Sequence, residues 1–446
     1  MHRRIFRAAV FITAALTSAC TSTSPPLSAQ LQVSQAQQQR ARDEAARLLA
    51  QPLNADDAVA LALIHSRALQ AALAEHAANL SGAQAQARLP NPVFAFERLV
   101  QGDHKELTRV LTIGLTEFIT WPQRQRVAQS AQQAERLRSA SAIVQTTLDA
   151  RRAWVEAVSA QQKLSHFEDV LSAAQAAATL AQRMHSAGNF NRVALGREQR
   201  ALLEARNAHT RAQFAALAAR EALLRTLSLT ETQAAQLQLP PRLPDLPPSP
   251  EPTAPDTHAL RERLDMQLAQ AQLHATARDL GLTRVTSWID GLQLSGVRKT
   301  ESASDPWRGY AIELPLPLFD WGDARRDAAQ ALYLAQLNRT AQTAIEARSQ
   351  LVQAHHAYRS ALEIAQRHQN ELAPLRQSLA EEAQLLYNGM QLSVFDLLAQ
   401  AREHAAEVVA ALDAQREFWL AQAQLAAARA GLPRAASLSA DDAPTP

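Results

Sequence analysis

From Gln123 to His185 the chain runs about sixty residues without a proline or a glycine, built mainly of Ala, Gln, Arg and Leu. As a single helix that stretch is about 90 Å long at 1.5 Å per residue. No compact globular core needs such an element, so partners must cover it along its length. The feature also occurs twice. A second long helical stretch is expected from about Asp323 to Tyr387, interrupted only by Pro374, where a kink or local break is expected. Trp121 is answered by Trp321 and Gly188 by Gly389 at the same offset to within one residue, which reads as an internal duplication.

Each copy has the same order. A helical pattern at 54–88, with Val59, Leu61, Leu63, Leu69 and Leu73 on one broad face, stops at Leu89-Pro90-Asn91-Pro92. A strand at 93–100 follows, then a polar turn, Gly102 to Lys105. Next comes a strand at 108–121, with Leu111, Ile113 and Leu115 on one face and Thr112, Gly114 and Thr116 on the other. The long helix breaks at Ser186-Ala187-Gly188-Asn189 and returns from Arg192 to about Thr226. In the second copy a helix at 256–281, strands at 285–297 and 307–319, and a loop at 298–305 lead into the long helix, which turns at Asn388-Gly389 and returns from Ser393 to Arg429. Eight prolines between Leu239 and Pro255 mark a semi-rigid linker. The expected units are a first repeat at 51–238, the linker at 239–255, a second repeat at 256–432 and a flexible tail at 433–446.

Composition supports helices: alanine makes up about a fifth of the chain and only 5% is aromatic. Past the first twenty residues no apolar run approaches the roughly 20 residues of a membrane-spanning helix. The amino terminus reads as a bacterial lipoprotein leader. Arg3, Arg4 and Arg7 precede the apolar stretch Ala8 to Leu16, and Leu16-Thr17-Ser18-Ala19 leads to Cys20, the sole cysteine. Signal peptide 1–19, lipid attachment at Cys20 and a flexible tether at 20–50 are therefore expected, with no other cofactor. An ordinary signal peptide with an incidental cysteine is the plainer alternative. Losing three arginines turns the small formal excess of +2 slightly negative, which removes the main support for nucleic-acid binding.

Strands with one apolar and one polar face fit a membrane barrel, yet four cannot close one and open edges do not survive in lipid. Three copies of the chain would supply twelve strands. The sequence resembles the TolC family of outer-membrane efflux channels over about residues 50–432. The resemblance is carried by Leu89-Pro-Asn-Pro92, by Glu313-Leu-Pro-Leu-Pro-Leu-Phe-Asp-Trp-Gly322, by Tyr387-Asn-Gly389 with Ser393-Val-Phe-Asp-Leu-Leu398, and by Ser186-Ala-Gly-Asn-Phe-Asn-Arg-Val-Ala-Leu195. It implies a mainly α fold with a small β part, and a homotrimer whose 12-stranded β-barrel is continued by an α-helical barrel. It also implies a place in the outer membrane of a Gram-negative bacterium, embedded in its lipid and reaching into the periplasm. The implied partners are a periplasmic adaptor and an inner-membrane pump of the resistance-nodulation-division type.

Carried over by the same resemblance, Asp396 and Tyr387 would form the pore constriction at the periplasmic tip, and Gly188, Asn189, Gly389 and Ser393 the adaptor-contacting surface. Three carboxylates in a narrow tube would repel one another and attract cations. Asp396 also reads as an ordinary first-turn helix acid, and Tyr387 as a packing residue. The first repeat has Ala194 where an acid could stand, Ala399 replaces a second acid beyond Asp396, and one extra residue separates Gly389 from Ser393. Trp121 and Trp321, at the expected strand-to-helix junctions, suit a membrane-interface girdle, as do Trp288 and Trp307.

Enzymatic readings find no support: there is no His-Glu-x-x-His, phosphate loop or Gly-x-Ser-x-Gly, and His355 and His356 point about 100° apart on a helix. The glycine turns, the Pro-Leu-Phe strand end and the lipobox look most like the heavy-metal efflux branch, with drug or solvent export as the alternative cargo. A lipid-anchored periplasmic coiled-coil scaffold without a pore is the alternative of another class. A membrane-fusion adaptor would have one helical hairpin between compact β domains.

Overall fold

The computed structural model describes residues 39–249, 257–287, 291–302, 305–316 and 318–432. Cys20, the signal segment, Trp288 and the 433–446 tail lie outside them. The described residues open with α1 (39–49), α2 (Ala55–His65) and α3 (Arg67–Gln86), then β1 (Val93–Gln101) and β2 (His104–Gly114). The 72-residue α4 (Leu115–Ser186) and α5 (Arg192–Leu227) follow, with a short α6 (Glu231–Ala234). The second half has α7 (Thr257–Glu262), α8 (Leu264–Thr286), β3 (Gln293–Glu301), β4 (Trp307–Glu313), α9 (Asp323–Arg367), α10 (Ala373–Asn388) and α11 (Val394–Ala430).

Several boundaries differ from the sequence expectations. The end of the expected tether is the helix α1, whose Ala45 and Leu49 are buried in the core. The first helical pattern is two helices, because Ser66 leaves the helical path and its hydroxyl caps the Leu69 amide. α4 begins at Leu115, so Trp121 and Pro122 lie inside a helix and not at its entrance. The second copy cannot do the same: Pro315 stops helical continuation, and α9 starts only after Gly322. The strand expected from Val285 begins at Gln293 and extends through the expected loop to Glu301. The break expected at Pro374 occurs one turn earlier, as a π-helical turn at His368–Leu372.

Helix contacts follow one lateral order. Along the half of α4 nearest the strands the order is α3, α4, α8, α9; along the other half it is α5, α4, α11, then α9 and α10. The strands are ordered β1-β2-β3-β4 in one antiparallel sheet, so each continues into the helix of the same rank. At 1.5 Å per residue α4 is about 110 Å long.

The largest apolar core lies at mid-length of α4, where Ala150, Trp154, Val155 and Val158 pack with Leu49, Leu61, Leu223 and Leu227. A second core joins Leu351, Tyr358 and Leu362 of α9 to Phe418 and Leu425 of α11. The first part of the expected linker is a strap between these cores. Leu243 is buried in the first and Leu246 packs on the second. The Pro244 carbonyl accepts from Gln415 and Trp419, and the Pro247 carbonyl from Gln366.

Two polar clamps fasten helices to one another. Burial alone would raise the Glu135 carboxyl of α4; the hydrogen bond from His76 of α3 (2.9 Å) and the Arg138 charge hold it below the ordinary carboxylate range. Arg263, at the break between α7 and α8, is fully buried. Its guanidinium donates to both Asp265 carboxylate oxygens (3.1 and 2.7 Å), to the Ala347 carbonyl and Gln350 of α9 (3.1 Å each) and to the Ala428 carbonyl of α11. Gly431 makes this closure possible: a Cβ there would stand 2.6 Å from the Asp265 carboxylate and 2.9 Å from Arg263 Cβ, at a φ of +82°. Arg263→Ala deprives the partly buried Asp265 carboxylate of its cation and leaves a cavity among the helices, so a loss of about 2–4 kcal/mol is expected. Denaturant unfolding of the variant checks this; a loss below about 1 kcal/mol would show that water reaches the site.

Candidate functional site

The sheet has two unlike faces, fixed by strand alternation and register. One carries Phe94, Phe96, Leu111, Ile113, Tyr310 and Ile312, all exposed. The other carries every carboxylate of the strands, Glu97, Glu106, Glu301 and Glu313, with a hydroxyl bridge from Thr112 to Ser295 (2.9 Å) and ion pairs from Lys299 to Glu106 and Glu301. This is the pattern of a barrel wall, apolar to lipid and polar to water. β2 and β3 pair across the two repeats, and β1 and β4 are left as edges.

The apolar belt continues towards the helices through Phe118 and Ile119 on α4 and through Leu314, Leu316, Leu318 and Phe319, all exposed. Of the expected girdle, Trp321 is exposed beside this belt. Trp121 is half-buried and donates its indole N–H to the Ala87 carbonyl at 3.0 Å, closing α3 onto α4. Trp307 falls on the polar face.

At the opposite end the two helical hairpins turn side by side. In the first, Gly188 takes the left-handed conformation at φ +78° and the Asn191 side chain caps α5 through the Ala194 amide (2.8 Å). Asn189 is exposed, with its amide on the Met184 carbonyl. In the second, Gly389 remains at φ −78° and the left-handed position passes to Met390, φ +58°. The extra residue in this turn moves the reversal one place on, and a side-chain-bearing residue there costs about 1–2 kcal/mol. Ser393 caps α11: the Asp396 amide donates to its hydroxyl (3.2 Å), and that hydroxyl donates to the Asp396 carboxylate (2.6 Å). Asp396 is exposed, and in a single chain it serves as a capping partner. Tyr387, 38% exposed, occupies the last turn of α10.

Sequence reasoning missed what joins the tips. Phe190 and Phe395 stack with ring centroids 4.2 Å apart, and Glu198, buried on α5, makes a two-pronged pair with Arg402 of α11 (2.8 and 3.4 Å). The only signal was one aromatic near each turn, at unlike places: Phe190 just before the cap Asn191 and Phe395 two residues after the cap Ser393. Among the described residues no group of three or more His, Cys, Asp or Glu could hold a metal. A double-mutant cycle on Phe190→Ala and Phe395→Ala should return a coupling of about 0.5–1.5 kcal/mol. Additive losses in that cycle would mean the rings only share space.

No family model and no curated protein sequence matches the chain. Solved structures do. The Campylobacter jejuni CmeC outer membrane channel aligns at a TM-score of 0.73 with 15% identity, covering 84% of this chain and 85% of its own. CusC, described by its conformational changes on folding and transmembrane channel formation, aligns at 0.67 with 17% identity, covering 84% and 92%. The open state of the Neisseria gonorrhoeae MtrE outer membrane channel aligns at 0.65 with 18% identity, covering 85% and 90%. The chain has the fold of these outer-membrane channels.

Proposed function

We propose that the protein is an outer-membrane efflux channel of the TolC family, a passive duct made by three copies of the chain. The observation that carries this is the four-stranded sheet, with an apolar face bare to solvent and two open edges, set at the end of a helical bundle whose longest member is about 110 Å. Among the described residues no helix is long and apolar enough to cross a membrane, so the sheet is the element suited to lipid. Closure by copies joins β1 of one to β4 of the next. The helices below those edge strands agree: α5 exposes Leu203, Phe214 and Leu217, and α9 and α10 expose Leu332, Ile345, Leu375 and Leu379. A pore-free scaffold would have no use for an apolar sheet face.

In this reading the tips face the inner membrane and meet the adaptor and pump, and Cys20 carries a lipid anchor. Heavy-metal cations are the proposed cargo, with drugs or solvents as the alternative. The duct needs no binding site for either. Asp396, repeated by symmetry around the tip, would favour cations.

Two experiments test the proposal. In planar bilayers the mature protein should give discrete cation-selective steps, with selectivity reduced in Asp396→Ala. Unchanged selectivity would move the constriction elsewhere, and no conductance from inserted protein would remove the duct. Phe214→Glu should shift the detergent-purified protein from trimer towards monomer in light scattering; a monomeric natural chain would defeat closure by copies.

A further inference from the structure

The apolar face of the sheet is crossed by a row of like charges. Register places Arg109 of β2 opposite Arg298 of β3, and Arg298 opposite Arg308 of β4. With strands about 4.8 Å apart, the three Cα positions span about 10 Å. All three side chains are exposed, and among the described residues none forms an ion pair. Like charges directly opposite one another in a sheet destabilise it. Arg98 and Lys105 lie on the same face, farther from the helices, and no carboxylate of the strands does. The segregation of charge is therefore nearly complete, with Lys299 as the one lysine or arginine of the strands on the acidic face.

The height of the row matters. Below it, towards the helices, alternate residues Tyr310, Ile312, Leu314, Leu316 and Leu318 form an exposed apolar line. Even fully drawn out, the eight steps from Tyr310 to Leu318 would reach at most about 26 Å, and the bond from the Leu318 amide to the Leu316 carbonyl (2.8 Å) shortens this, so the line fits within the apolar band of outer-membrane barrels, about 25 Å. An arginine on the lipid face costs about 2–4 kcal/mol at the midplane and about 0–1 near an interface. The row thus belongs at the upper border of the band, on the side away from the helices.

The geometry points to Arg109, Arg298 and Arg308 as a binding row for the phosphate groups of an anionic glycolipid in the outer leaflet. This rests on the outer-membrane reading above, because it takes the helices as the inner side. Guanidinium groups suit phosphate through paired, charge-assisted hydrogen bonds. A multiply phosphorylated headgroup would offset the mutual repulsion of the row, which a singly charged phospholipid does poorly.

The test uses the full mature protein in neutral detergent, titrated with rough-chemotype lipopolysaccharide and followed by thermal unfolding. Affinity for the phosphorylated probe should exceed that for the same probe after dephosphorylation by at least about tenfold. The triple variant Arg109→Gln, Arg298→Gln, Arg308→Gln should lose this preference, and Lys299→Gln, on the other face, should keep it. Equal response to both probes by the natural chain overturns the proposal without reference to any variant, as does phosphatidylglycerol binding as tightly as lipopolysaccharide. Conductance of natural chain and triple variant in phospholipid bilayers separates the two readings: loss in both counts against the channel, whereas lost lipid preference with conductance intact supports the arginine row.

Discussion

The unpaired backbone of β1 and β4 is the constraint on which the rest of this structure depends. Hydrogen-bonding groups at a strand edge cannot be left in lipid, where nothing else satisfies them. The chain repeats that openness at every level, because β1 stands over α3 and α5 and β4 over α9 and α10. One copy is a stave with two different edges, and joining unlike edges is the arrangement that generates rings. In the proposed assembly the same joining would cover the exposed Leu203, Phe214 and Leu217 of one edge and Leu332, Ile345, Leu375 and Leu379 of the other.

Duplication made the two halves alike in plan, and local chemistry made them differ. Leu115 to Ile119 have no proline, so α4 extends up to the strand and takes Trp121 inside, where it packs on α3. Pro315 forbids this in the second half, where helix starts only after Gly322 and Trp321 is left bare. A matching tryptophan in a repeated sequence therefore does not guarantee a matching role. The tips differ in the same way, since one residue more in the second turn transfers the left-handed position from a glycine to Met390.

What was legible in the sequence is what is encoded over a few residues. Long helices, their reversals near Gly188 and Gly389, and the strand of Leu111 and Ile113 follow from periodicity and from glycine and proline. Pairing through space was not legible. Nothing near Phe190 reveals that Phe395 will lie against it, and the prolines of 239–249 read as a spacer although their carbonyls are bonded to α9 and α11. The same applies to Arg263: inside the helix expected at 256–281 nothing sets it apart from Arg261, and only the assembled fold surrounds it with carbonyls. The charge segregation of the sheet needed the β2–β3 register, which no single strand contains.

Packing is graded along the molecule, and the gradient suits the proposed duct. The large buried side chains, Trp154, Tyr358 and Phe418, sit at mid-length, where the strap and short helices add a second layer. Towards the tips most buried apolar residues are alanines, Ala177, Ala178, Ala181 and Ala383, with Leu195 beside them, and the halves are joined by one aromatic stack and by ion pairs such as Glu198–Arg402 and Arg376–Glu407. Small side chains bury little apolar area, and partly solvated ion pairs add little more. Local opening is therefore least costly at the tips and most costly at the belt. In the proposed duct, a tube held at the sheet end and stiff in the middle could open at its far end without disturbing the barrel, because the belt would isolate the two.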